Sequence, residues 1–199
     1  LSGVRESEAG YLATKAIRAA MKWGVMPTTV NWTVQKHSQA GTAPDILEVV
    51  ITNALHGDAS DTTVSGMNKQ QEEDLTVMGL LEGASDLFGS GLNGERGSAH
   101  EALASILWEY PETLPSISAV VEKCVREEPL TSVRMMIFHG INSIGKYEPD
   151  RAAALARELG LMDPKSLLGR PGQHVMRWAA FRDSFEVDDF IDQLRSNQD

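Results

Sequence analysis

Apolar residues recur along this chain at steps of three and four, and short polar joints carrying proline or glycine separate the periodic stretches. From Glu8 to Trp23 the positions Leu12, Ala16, Ile17, Ala20 and Trp23 fall on one face, which predicts an amphipathic helix that Gly24 and Pro27 stop. Residues 28–42, TTVNWTVQKHSQAGT, are polar and tolerant of β-structure, and they predict a long loop or at most a short strand-like piece. Pro44 and Asp45 open a second helix that turns Ile46, Leu47, Val50, Ile51, Ala54 and Leu55 inward and closes at Gly57. Residues 58–69, DASDTTVSGMNK, have the composition of a surface loop. A long helix is predicted from Gln70, with Leu75, Met78, Leu81 and Leu87 inward and Gly79 and Gly83 leaving room for a neighbour.

Beyond residue 90 the rhythm becomes regular. Helices are predicted over 98–109, 113–127, 131–146 and 149–160, a turn or short helix at Asp163-Pro164, and further helices over 172–183 and 187–195. Tyr110-Pro111 breaks the first of these, and Pro149 suits a first helical turn. Amphipathic helices joined by short links pack as antiparallel hairpins, and stacked hairpins make a solenoid. The expected fold is therefore all-α. Residues 1–69 are read as N-terminal helices and long loops, and 70–199 as the repeat region of one continuous domain. No word recurs at a fixed period, so the repeat is one of structural rhythm.

Within residues 93–160 the run N-G-E-R-G-S-A-H-E-A-L-A-S-I-L-W is followed by Tyr110-Pro111, Pro129, Thr131-Ser132-Val133-Arg134 and Glu148-Pro149-Asp150. This pattern resembles HEAT-type α-solenoids. More narrowly, Arg96-Gly97 with Ala99, Ala102 and Leu103 resembles the C-terminal helical-repeat region of bacterial STAND-type antiviral NTPases. The aromatic-rich stretch around Val175, Trp178, Ala179, Phe185 and Ile191 is similar in layout. The HEAT-like likeness spans roughly residues 70–195. It implies a right-handed stack of about four helical pairs in a cytoplasmic bacterial protein, with Gly94, Arg96, Gly97, Pro111 and Arg134 in structural roles. It also implies a region that senses a protein partner while an ATPase module elsewhere acts; the chain has no G-x-x-x-x-G-K-[ST] loop. The first residue is Leu rather than Met, and we expect a fragment of a longer protein.

Composition narrows the function classes. Apolar residues make up 42% and charged residues 23%, as in an ordinary globular chain, and no apolar run approaches the roughly 20 residues of a membrane span. A single cysteine, Cys124, excludes an internal disulfide and suits a reducing compartment. The net charge is −10, yet residues 1–40 carry five Lys or Arg against two acids. An acidic body disfavours broad nucleic-acid binding. The alternative of a nucleic-acid module rests on Lys15, Arg18 and Lys22. The sequon Asn31-Trp32-Thr33 is read as chance.

The chemical candidates resolve toward architecture. His100-Glu101 lacks the second histidine of a zinc-protease helix, since position 104 is Ala. His37, His56, His100, His139 and His174 have no neighbouring His or Cys within four residues, so no metal and no cofactor are expected, and His100 is expected on a partly exposed helix face. Cys124, among Val120, Val121 and Val125, reads as a buried apolar residue rather than a nucleophile. The glycine run LFGSGLNGERG reads as a helix end and tight turn rather than an anion cradle, with Arg96 reaching carbonyls or an acid of the next layer. Arg134 is expected to tie one layer to an acid in the next. Glu72-Glu73-Asp74 reads as a helix start. Glu186, Asp188, Asp189 and Asp192 read as a solvated face. The expected function is non-enzymatic protein recognition or scaffolding, with partner contact in the loops at 28–42 and 58–69. The rival is an all-α enzyme with a dispersed site, against which stands the lack of any nucleophile–base spacing.

Overall fold

Every regular element among the described residues is helical, and proline or glycine marks most of the joints. The structure is a computed structural model, and it describes residues 2–58, 87–182 and 185–196. The α-helices are α1 (Ser2–Lys22), α2 (Pro27–Lys36), α3 (Pro44–His56), α4 (Glu95–Glu109), α5 (Leu114–Glu127), α6 (Thr131–Gly145), α7 (Pro149–Met162), α8 (Arg170–Ala179) and α9 (Val187–Ser196). Short 3-10 turns at Ser38–Thr42, Pro111–Thr113 and Pro164–Leu168 join α2 to α3, α4 to α5 and α7 to α8. Residues 87–93 are helical too and enter α4 through a turn at Gly94.

Local chemistry sets these boundaries. Pro27, Pro44 and Pro149 stand in first turns, where a missing N–H loses no bond. Asp45, Glu95 and Asp150 place negative charge at the positive end of their helices. Tyr110, ahead of Pro111, takes φ −126° and ψ 82° and ends α4.

Packing arranges the helices in two rows. α2, α4, α6 and α8 touch in that order, and α3, α5, α7 and α9 touch in that order. α1 lies at one end against α2, α3 and the Ser38–Thr42 turn. At the centre, α4 buries Ala99, Ala102, Leu103, Ala104, Ile106 and Leu107, while α6 buries Met135, Met136, Ile137, Phe138, Ile141 and Ile144. Each such large side chain contributes about 1.5–3 kcal/mol on leaving water. A polar bridge fixes the α2–α3–α4 junction. Asn53 donates to the Asn31 amide oxygen at 3.1 Å, and Asn31 donates to the Ser98 hydroxyl and the Glu95 carbonyl, both at 3.0 Å. Asn31 is fully buried, so its sequon cannot carry a glycan in this fold.

Two expectations are corrected. Residues 28–42 are not a long loop: they form α2 and the following 3-10 turn. Thr28, Val30, Asn31 and Val34 lie on one helical face against α4, and that burial overrides the weak helix preference of β-branched residues. The apolar face predicted for α1 is divided. Ile17 is buried, whereas Leu12 and Trp23 are 63% and 83% exposed. The 58–69 loop from residue 59, the acids 72–74 and the helix from Gln70 as far as residue 86 lie outside the described residues.

Gly97 allows the closest backbone approach in the centre. A Cβ there would stand 1.9 Å from the carbonyl oxygen of Gly91. Gly97→Ala is expected to lower stability by about 1–3 kcal/mol or more, because only backbone movement relieves the clash. Urea denaturation checks this, and an unchanged midpoint would contradict it.

Candidate functional site

The ends of the helices carry two different polar arrangements. At the N-terminal ends of α4 and α6, Arg96 pairs with Glu128 at 2.9 Å, and the Glu128 side chain is only 3% exposed. The other Glu128 carboxylate oxygen accepts the Leu130 N–H at 3.0 Å, and Arg134 donates to the Glu128 carbonyl at 2.7 Å. Arg134 also stands 3.4 Å from Asp163, an ion pair without hydrogen-bond alignment. Two arginines thus bracket the α5–α6 joint and reach the end of α7. Gly94 makes the turn into α4, accepting no side-chain cap, and Pro111 starts the turn out of it.

The odd row is tied by further arginines. Arg126 reaches Glu158 at 3.2 Å, Arg151 reaches Glu122 at 2.7 Å, and Arg157 pairs with Asp189 on α9. Arg96–Glu128, Arg126–Glu158 and Arg157–Asp189 each span 32 residues of sequence.

A groove opens at the C-terminal ends of the even row. One cavity of about 800 Å³ lies between the start of the Ser38–Thr42 turn, the α4 residues Glu101, Ser105 and Trp108, and the α6 residues His139, Asn142 and Ser143. A second, of about 380 Å³, lies between Trp108, Asn142 and Lys146 on one side and His174, Trp178 and Arg182 on the other. Trp108 and Asn142 line both, so the two cavities adjoin across α4, α6 and α8. Steps of three and four bring 101, 105 and 108 to one face of α4, and 139, 142 and 146 to one face of α6.

The aromatic groups there are fixed in place. The Lys146 ammonium donates to the Trp108 carbonyl at 2.6 Å and sits 4.6 Å over its indole ring. The Tyr147 hydroxyl donates to the same carbonyl at 2.9 Å. A cation at the last carbonyls of α4 suits the negative end of that helix. Trp178 donates to Asn142 at 3.2 Å and packs against Gly145. Trp108 nevertheless remains 43% exposed at the junction of the two cavities.

His100 corrects a further expectation: it is fully buried, not partly exposed, because α4 is covered by α2, α3 and α6. Burial first, and then the nearby His139 and Arg96, press its imidazole down to about 3, so it is neutral. Burial likewise holds His139 at about 4 and raises the Glu101 carboxyl above its ordinary value. Both His100 ring nitrogens, His139 Nε2 and Glu101 Oε2 are shut off from water and have no hydrogen-bond partner among the described residues. Cys124 is buried, with its thiol pushed up to about 12, chiefly by burial. No group of three or more His, Cys, Asp or Glu with metal-binding geometry occurs among the described residues. None of the helices among them is long and apolar enough to cross a membrane.

Sequence reading missed the groove, although a signal was present. Helices as apolar as α4 and α6 have little reason to keep Glu101, Ser105, His139 and Asn142 at helical spacing unless that stripe is only partly covered.

Two outcomes follow from these contacts. Glu128→Ala leaves Arg96 largely buried without its counter-ion, and a stability loss of about 3 kcal/mol is expected in chemical denaturation; a loss near zero would contradict the pairing. His100 and His139 have folded-state values below the ordinary ~6.5, so the unfolded chain binds protons first as pH falls. Their contribution is complete above pH ~6.5 and is lost as pH drops toward about 4 for His139 and about 3 for His100, at up to about 1.4 kcal/mol per pH unit per histidine. Glu101, being raised, acts in the opposite sense. His100→Leu also removes two unpartnered nitrogens, and its expected signature is a shallower decline at acid pH with no loss at pH 7. Denaturation at several pH values measures it, and an unaltered slope would contradict the assignment.

No protein-family model, no curated protein and no solved structure matches this chain.

Proposed function

We propose that this chain is a non-enzymatic, HEAT-like stack of antiparallel helical hairpins that recognises another protein along the exposed face of α4, α6 and α8. The observation that carries the reading is the groove that crosses three successive helices of the even row, with Trp108 at its middle. A stack gives each helix neighbours two positions away in sequence order, which is how the two rows here touch. The Arg126–Glu158 and Arg157–Asp189 pairs support the same reading, since they tie successive helices of the odd row.

Recognition suits this groove better than catalysis. An acid–base pair would draw on Glu101 and His139, yet the unpartnered atoms of both are sealed from solvent. A fixed, half-exposed tryptophan among polar neighbours has the character of an interface anchor. The nucleic-acid alternative loses one of its three cations, because Arg18 is engaged by Asp45 through contacts of 2.7 and 2.9 Å. Partner contact in this reading centres on the groove, which the 28–42 segment lines only through Gln35 to Gln39. The narrower relation, a sensor region of an antiviral NTPase, rests on the Arg96-Gly97 pattern and the aromatic C-terminal layout alone.

A photo-crosslinking residue at Ser105 tests this in the native host, with the same residue at exposed Glu127 on the odd row as control. The expected result is one discrete protein adduct at Ser105, absent at Glu127 and lost on Trp108→Ala. With that partner purified, Trp108→Ala is expected to weaken binding by roughly 30-fold, or about 2 kcal/mol. Identical adducts at both positions, or full affinity without Trp108, would contradict the reading.

A further inference from the structure

α1 carries two apolar faces, and among the described residues only one is packed against the rest of the fold. Ala13 and Ile17 are buried and Met21 packs against the core. Leu12, Ala16, Ala19 and Trp23 form a second stripe in solvent, at steps of four, three and four. Tyr11 and Met26 beside it are 59% and 67% exposed. That spacing is the seam by which one helix packs along another.

The residues flanking the seam select its occupant. Lys15 and Lys22 lie seven residues apart along it, and both are exposed. An acid-flanked helix fits. α9 is such a helix and closes the other end of the odd row, packing on α7. It buries Phe190 inward and exposes Asp188, Ile191, Asp192 and Arg195 on its outer face. Asp189 is taken by Arg157, which leaves Asp188 and Asp192 outward around Ile191, with Asp192 3.4 Å from Arg195.

We propose that the α1 seam docks on the outer face of α9 of a second copy, head to tail, with Ile191 set into the stripe between Leu12 and Trp23 and with Lys15 and Lys22 against Asp188 and Asp192. The contact is heterologous, so further copies can add at both free ends. Each copy carries a net charge of −10, which opposes association at long range. At ~0.1 M salt, screening over about 10 Å confines the electrostatics to the facing ends, where the signs are opposite. With so few side chains on each side, the dissociation constant is on the order of 0.1 mM. This docking is independent of the groove reading.

Sedimentation equilibrium over increasing concentration tests it, at about 50 mM and about 500 mM salt. The average mass is expected to rise with concentration at the lower salt, and to rise much less at the higher. Lys15→Glu with Lys22→Glu should hold the protein monomeric, as should Asp188→Lys with Asp192→Lys. An equimolar mixture of the two variants should associate again, because each restores an opposite-charge face to the other. Leu12→Ala with Trp23→Ala should also remain monomeric with unchanged helical circular dichroism, both side chains being exposed. A monomer mass at every concentration would overturn the proposal. So would association that neither charge reversal alters, or a mixture that stays monomeric.

Discussion

The mutual burial of α4 and α6 is the constraint on which the rest of the structure depends. Each helix is apolar around most of its circumference, and such a helix persists in water only when other elements cover it. α4 contributes the small residues Ala99 and Ala102, and α6 contributes Ile137, Phe138, Ile141 and Ile144 to the same core cluster, so large side chains share it with small ones. The Ser143 hydroxyl bonds the Ala104 carbonyl at 2.9 Å inside this contact. α2 and α3 then cover α4, α7 and α8 cover α6, and α5 bridges the two. The even row exists because these two helices need neighbours on both sides.

The groove and the buried histidines are consequences of the same packing. The stripe from Glu101 to Trp108 and from His139 to Lys146 is what remains uncovered after the other faces are buried. Polar residues collect there, and Lys146 and Tyr147 hold Trp108 by capping the end of α4. His100 lies just off that stripe and is enclosed completely, which forces it neutral. The proposed recognition face is therefore the side of these two helices that stability leaves free.

Much of the fold was legible from spacing alone. Pro129, Pro149 and Gly145 sit where α6 and α7 begin and end, and the predicted 131–146 and 149–160 helices differ from the structure by a residue or two. The 28–42 segment was misread because Thr28, Thr29, Val30, Thr33 and Val34 suggest β-structure locally, whereas their one-sided burial is a tertiary fact. His100 was misplaced for a related reason: sequence shows that Ala102 and Leu103 are apolar but not how many helices surround them. The groove joins residues as far apart as Gln35 and Arg182, and no local pattern expresses that proximity.

Native-state hydrogen exchange tests the central role of α4 and α6 most directly. Their amides from Leu103 to Leu107 and from Ile137 to Ile144 should exchange last, with protection equal to the free energy of global unfolding. α1 and α9, covered on one side only, should open earlier. Exchange of the α4 or α6 amides through a local opening, ahead of α1 or α9, would contradict the account.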